Sequence, residues 1–218
     1  MAGKLIVFEG TDGSGKSTQF KLLCEALKQE QRQFLTCRYP QYSEESSALV
    51  RMYLGGQFGS NPSDVNAYAA SSFYAVDRYA GYKKYWGNFY ESGGIVLLDR
   101  YTTSNAVHQA SKLPAGKRDA FFRWLADFEY RDLGLPEPDL VIWLDMPIEL
   151  AVANLRRRES DTHTTADIHE VDTGYLFNCH DAAEQAARFY GWQRIACADA
   201  QGKLRSIEEI HSEIMSLI

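Results

Sequence analysis

Residues 4–18 read KLIVFEGTDGSGKST, and the reading of this stretch decides the fold. Lys4–Glu9 is a short apolar run of the length expected for a buried strand. Gly10-Thr11-Asp12-Gly13-Ser14-Gly15-Lys16-Ser17 follows, and fits G-x-x-x-x-G-K-[ST] without a gap. Phe20, Leu23, Cys24 and Leu27 then recur at i, i+3, i+4 and i+7, the apolar face of a helix. Strand, glycine-rich turn and helix in that order form a phosphate cradle. Glycines let the backbone curl so that its N–H groups point at phosphate oxygens. The helix N-terminus adds about half a positive charge. Gly10, Thr11, Asp12, Gly13, Ser14, Gly15, Lys16, Ser17 and Thr18 are therefore expected to hold a nucleoside triphosphate. Lys16 would reach the terminal phosphates and the Ser17 hydroxyl would ligate Mg²⁺.

Outward from this loop, strands and helices alternate. Strands are expected at 34–38, 95–99, 140–145 and 193–198. Asn61-Pro62-Ser63-Asp64 reads as the start of an aromatic-rich helix running to about residue 90, ended by Gly93-Gly94. Further helices are expected at 114–131, after Pro147, at 171–190 and from Ser206, where Glu209 completes a capping-box pattern. Residues 159–170 are polar without a period and read as a mobile loop. Such alternation implies a five-stranded parallel sheet with helices on both faces. With 218 residues and no linker-like stretch, a single domain over 1–218 is expected.

Composition excludes several classes. Hydrophobic residues at 45% and charged residues at 24% are those of a globular protein rather than a disordered one. A formal net charge of −6 argues against a nucleic-acid binder, which carries a basic footprint. Apolar runs such as Ile95–Leu98 are far short of the roughly 20 residues that span a bilayer. The N-terminus lacks the pattern of a signal peptide, and the four cysteines lack CxxC spacing. They read as reduced thiols of a cytoplasmic protein.

The acceptor side is written in arginines. Arg38 ends the second strand, and Asp99-Arg100-Tyr101 ends the third, at the sheet edge where open α/β folds bind ligands. Tyr74 and Arg78 share a helix face at i, i+4. Arg156-Arg157-Arg158 enters the polar loop. Read alone, Tyr74 also suits a plain core aromatic, Arg78 a salt-bridging surface residue, and Asp99 a structural partner of the loop. The blocks FEGTDGSGKSTQ (8–19), FYAVDR (73–78), DRYTTSNAVHQ (99–109) and LGLPEPDLVIWL (133–144) together resemble the thymidylate kinases, a family of P-loop nucleoside monophosphate kinases. RYP at 38–40 and SIEEIH near the end add to the resemblance, which spans nearly the whole chain.

That resemblance implies the three-layer nucleoside monophosphate kinase fold, ATP and dTMP as substrates, Mg²⁺, and a homodimer. It also implies roles. Asp12 would hold the acceptor sugar and help place Mg²⁺, with Asp99 as the acid near the metal. Arg38 and Arg100 would clamp the acceptor monophosphate. Tyr74 would stack on the base, with Arg78, Ser104 and Gln109 around it, and Tyr175 would close over the sugar. A lid at about 156–172 would supply the catalytic arginine, with Arg156, Arg157 and Arg158 as candidates, because the loop insert TDGS has none. The chain departs from the family pattern at Tyr74 (usually Phe), at His108 (often Tyr) and in the lid segment DTHTTADIH. Two alternatives stay open: a kinase of another deoxynucleotide or of a deoxynucleoside, for which Glu9 would be the base, and a nucleotide-dependent switch without an acceptor.

Overall fold

The computed structural model describes residues 2–162 and 173–218. A five-stranded, all-parallel sheet has the order β2-β3-β1-β4-β5. Its strands are β1 (Lys4–Glu9), β2 (Phe34–Arg38), β3 (Ile95–Asp99), β4 (Leu140–Asp145) and β5 (Gln193–Ala196). The helices are α1 (Lys16–Gln29), α2 (Ala48–Leu54), α3 (Ala67–Gly81), α4 (Gly87–Glu91), α5 (Thr102–His108), α6 (Ala115–Ala126), α7 (Ile148–Thr162), α8 (Thr173–Tyr190) and α9 (Ile207–Met215).

Successive strand residues point to opposite faces, so the central strands feed two cores. Leu5, Val7, Val96, Leu98, Val141 and Trp143 pack on one side with Phe121, Phe122 and the alanines of α8. Ile6, Phe8, Leu97, Ile142 and Leu144 pack on the other with Leu23 and Leu27 of α1 and Ile210 and Ile214 of α9. Each fully buried side chain of this kind contributes about 1.5–3 kcal/mol.

Register fixes what stands at the carboxyl edge. Phe8 pairs with Asp99 and Asp99 with Arg38, while Glu9 pairs with Trp143. Glu9, Arg38, Asp99 and the turn that follows β1 are thereby brought to one edge.

Two expected boundaries move. Asn61 and Asp64 do form a capping box, but only around the short turn Pro62–Asp64. Val65 and Asn66 are extended, and Asn66 caps α3 by accepting from the N–H groups of Tyr68 (3.0 Å) and Ala69 (2.9 Å). At its far end α3 continues through a π-helical turn, Tyr82–Trp86, into α4, and α6 continues through another, Asp127–Asp132. The second shift concerns the expected loop: α7 stays helical to Thr162, so Arg156, Arg157 and Arg158 lie on a helix. The remainder of the expected lid, 163–172, lies outside the described residues.

Candidate active site

The loop between β1 and α1 is shaped by two left-handed glycines. Gly13 has φ +82°, and a Cβ there would stand 2.3 Å from the carbonyl oxygen of Ala151. Gly15, also at +82°, opens α1 with no side-chain cap, which leaves first-turn N–H groups for an anion. The Ser14 N–H closes the turn on the Thr11 carbonyl at 3.1 Å. Lys16 is buried and ion-paired with Asp99, whose second oxygen receives Nε of the exposed Arg38 at 3.3 Å. Burial, seconded by Arg100, holds the Lys16 ammonium below its ordinary range, against the pull of Asp99.

Arg100 is the hub of a polar cluster beside the loop. Its φ of +69° is unusual for a non-glycine residue and is the kind of backbone strain that collects at functional sites. That turn directs the side chain onto the loop. NH2 donates to Asp12 at 2.9 Å, and NH1 lies 3.3 Å from Glu9 and 3.0 Å from Nε2 of His108. Burial raises the Asp12 carboxyl, but Arg100, seconded by Lys16, holds it below the usual carboxylate range. Burial likewise lowers Arg100, and the charges of Asp12, Glu9 and Asp99 more than reverse this.

Glu9 is fully buried and its carboxylate is saturated. It accepts from Gly10 N–H (2.9 Å), Thr103 (2.8 Å) and Ser104 (2.6 Å) besides Arg100. A carboxylate so engaged is not poised as a base, which removes the observation favouring a nucleoside kinase.

Beside Arg100 lies a cavity of about 250 Å³ walled by Tyr53, Tyr74, Arg78, Gln109 and Tyr175. Arg78 is 1% exposed and makes a bidentate pair with Glu129, Nε at 2.7 Å and NH2 at 2.5 Å, while NH1 donates to the Tyr101 carbonyl. Glu129 sits in the second π-helical turn and also receives Asn105 at 3.1 Å. The Gln109 side-chain oxygen is buried on this cavity with no hydrogen-bond partner among the described residues. Burial pushes the Tyr74 phenol far above its ordinary value, so it stays neutral.

A second cavity, of about 320 Å³, opens on the other side of the loop. It is lined by the loop from Thr11 to Thr18, by Asn154 and Arg157 of α7, and by Arg205 and Ile207 before and within α9. Asn154 donates to the Gly13 carbonyl at 2.9 Å, fastening α7 to the loop. The two cavities meet at Thr11, Asp12 and Arg38.

Comparison with known proteins agrees with this geometry. The family model for thymidylate kinase matches residues 8–214. The chain belongs to the thymidylate kinase family. It is 32% identical over 195 residues to thymidylate kinase of Mycobacterium tuberculosis, covering 86% of this chain and 87% of that one. It is 30% identical over 221 residues to a probable thymidylate kinase of Pyrococcus horikoshii, covering 100% and 97%. The solved thymidylate kinase of Candida albicans superposes with a TM-score of 0.70 at 20% identity, over 100% of this chain and 91% of that one, and so shares its P-loop nucleoside monophosphate kinase fold. A member of this family is a nucleoside monophosphate kinase, a phosphotransferase.

Within this family member, Arg38, Tyr74, Arg78, Arg100, Ser104, Gln109 and Tyr175 all line one cavity with Asp12. Ser104 differs in detail, since its hydroxyl is spent on Glu9. Asp99 lines neither cavity and sits behind Lys16 and Arg38. Of the three candidate arginines, Arg157 lines the second cavity, Arg156 is exposed and lines neither, and the side chain of Arg158 lies outside the described residues. Sequence reasoning missed Glu129, Asn105 and Tyr53, and named Glu9 only as the base of the alternative nucleoside kinase. Lys112 was also missed: it donates to the Tyr53 hydroxyl (2.9 Å) and the Val65 carbonyl (3.1 Å), with its ammonium pushed down to about 8 by burial.

Proposed function

We propose that this protein transfers the γ-phosphoryl group of ATP to the 5′-phosphate of dTMP, giving dTDP and ADP. The observation that carries the reading is the pair of cavities, one on each side of the phosphate loop, meeting at Thr11, Asp12 and Arg38. One takes ATP and the other takes dTMP, so the transferring group and its acceptor face each other across the loop. A phosphate monoester has its second pKa near 6 and arrives at neutral pH already deprotonated. No general base is needed, in keeping with the saturated Glu9. The barrier is repulsion and positioning. Two unit charges 4 Å apart repel by about 4 kcal/mol at an effective dielectric of 20, and each nucleotide brings several.

Lys16 and the loop amides then hold the donor phosphates, while Arg38 and Arg100 hold the acceptor phosphate. Asp12, kept ionised by Arg100, faces the sugar. Tyr74 stacks on the base, Arg78 and Gln109 offer polar contacts to it, and Tyr175 covers the sugar. Arg157 is our choice for the arginine brought by α7, because it already faces the donor cavity. Mg²⁺ fits the donor set here. It prefers oxygen ligands, keeps several waters and needs one or two protein ligands beside phosphate. Ser17 is exposed and lines the donor cavity, and Asp99 is ion-paired with the neighbouring Lys16. When bound, the metal would offset the negative charge of the donor phosphates.

The four unpaired cysteines support a reducing, cytoplasmic setting. No described helix is long and apolar enough to cross a membrane. Val76 and Tyr79, exposed on α3, support a homodimer through that helix.

ATP consumption should require dTMP. Arg100→Ala should raise KM for dTMP and lower kcat while leaving KM for ATP nearly unchanged. A defect confined to ATP would contradict the acceptor role of Arg100.

A further inference from the structure

His108 closes α5 and stands inside the acceptor cavity, yet nothing derived so far uses it. Among the described residues, three groups approach its ring nitrogens. Arg100 NH1 is 3.0 Å from Nε2, the Tyr175 hydroxyl is 2.9 Å from Nδ1, and the Cys179 Sγ is 3.6 Å from Nδ1. A guanidinium has donors only, so Nε2 must accept. A neutral ring that accepts there carries its proton on Nδ1, and Nδ1 then donates to the Tyr175 oxygen. The Tyr175 ring lies nearly parallel, at 22°, with centroids 6.1 Å apart.

The neutrality of this acceptor matters. The other side chains on Arg100, Asp12 and Glu9, are carboxylates, and each draws the guanidinium toward itself while repelling an incoming phosphate. The imidazole orients the guanidinium without adding negative charge.

We propose that His108 is a positioning residue for the acceptor phosphate. In its neutral Nδ1–H tautomer it aims Arg100 across the cavity and ties it to Tyr175 of α8, and it thereby sets the affinity for the monophosphate. This rests on reading the cavity as the monophosphate site. Among the described residues, the groups around the ring are Arg100 after β3, Asp12 of the phosphate loop, and Tyr175 and Cys179 of α8, with Tyr74 of α3 lining the same cavity.

Two variants separate the two ring nitrogens. His108→Gln places an amide oxygen about where Nε2 stands and keeps the acceptor for Arg100. His108→Asn reaches only about as far as Nδ1 and loses it. The asparagine variant should raise KM for dTMP about tenfold, as expected for the loss of a hydrogen bond to a charged group, while the glutamine variant stays near the parental value. KM for ATP should hold in both, which also shows that both fold. Acid gives a second readout, because a proton on Nε2 would face the guanidinium. Between about pH 8 and about pH 5, KM for dTMP should rise more steeply in the parent than in His108→Gln, which keeps only the titration of the substrate phosphate.

Equal KM values for the two variants, or pH profiles that superimpose, would overturn the proposal. Failure of the parent to convert dTMP would instead overturn the proposed function. Calorimetric binding of dTMP to parent and variants would still decide the part played by His108, and a parent that neither binds nor converts dTMP overturns both.

Discussion

At the residue scale, the site is a set of opposite charges held ready for two nucleotides. Lys16 and Arg38 share Asp99, Arg100 bridges Glu9 and Asp12, and Arg78 is clamped by Glu129. The last pair differs from the others because both side chains are out of water, at 2% and 0% exposed. Such a pair adds little over a well-packed apolar pair, but losing one partner strands a buried charge at a cost of about 3–5 kcal/mol. Glu129→Gln should therefore lower stability by about 3 kcal/mol, read from urea denaturation midpoints, and raise KM for dTMP because Arg78 is no longer held. Unchanged stability would mean that the pair does not hold Arg78. Legibility at this scale was uneven for a physical reason. Lys16 and its glycines lie in one unbroken run, so spacing alone exposes them. Glu129 sits 51 residues from Arg78, and nothing local marks it as a partner. The positive φ of Arg100, which aims its side chain, has no signature in residue type.

At the element scale, the supports of the site are joints between helices and strands. Asn154 ties α7 to the phosphate loop, and Arg100, His108 and Tyr175 tie α5 to α8. A further joint fixes α8 to the sheet: His180 lies 2.6 Å from Asp145 at the end of β4, and Arg194 of β5 holds the other oxygen. The hydrogen bond to Asp145 raises the His180 imidazole above its ordinary value of 6.5, against the opposing effect of burial. Burial raises Asp145, but His180 and Arg194 bring it below 3.8. A group whose value is raised on folding contributes stability that is complete below the unfolded value and fades as pH climbs through the folded one. The stability gap between the parent and His180→Asn should therefore be widest near about pH 5.5 and narrow toward about pH 9. A gap that is flat or widens with pH would show that the charged pair is not the joint. Most elements could be read from the sequence pattern, since the central strands β1, β3 and β4 are short buried runs and the longer helices carry an apolar face. The start of α3 could not. Asn61 and Asn66 are both good caps, and the choice between them lies in the extended backbone of Val65 and Asn66. The length of α7 was missed for the opposite reason, because the polar face of an exposed helix has no apolar period to reveal it.

At the scale of the whole molecule, strand order does the decisive work. With β1 central, the phosphate loop leaves the middle of the sheet, and β2 and β3 beside it deliver Arg38 and Arg100 to the same edge. The alternation of strand and helix made that edge legible in advance, and with it the gathering of Arg38, Asp99 and Arg100 there. It did not reveal the two cavities or their junction at Thr11, Asp12 and Arg38, which depend on how α3, α7 and α8 pack over the edge. The central claim is that this junction brings ATP within reach of a nucleoside monophosphate, with dTMP the one the cavity takes best. It is tested most directly by incubating the protein with ATP, Mg²⁺ and each common nucleoside monophosphate in turn and separating the products by chromatography. The account predicts a diphosphate with dTMP, formed faster than with any other acceptor. Hydrolysis of ATP with no diphosphate from any of them, or conversion of another monophosphate while dTMP is ignored, would contradict it.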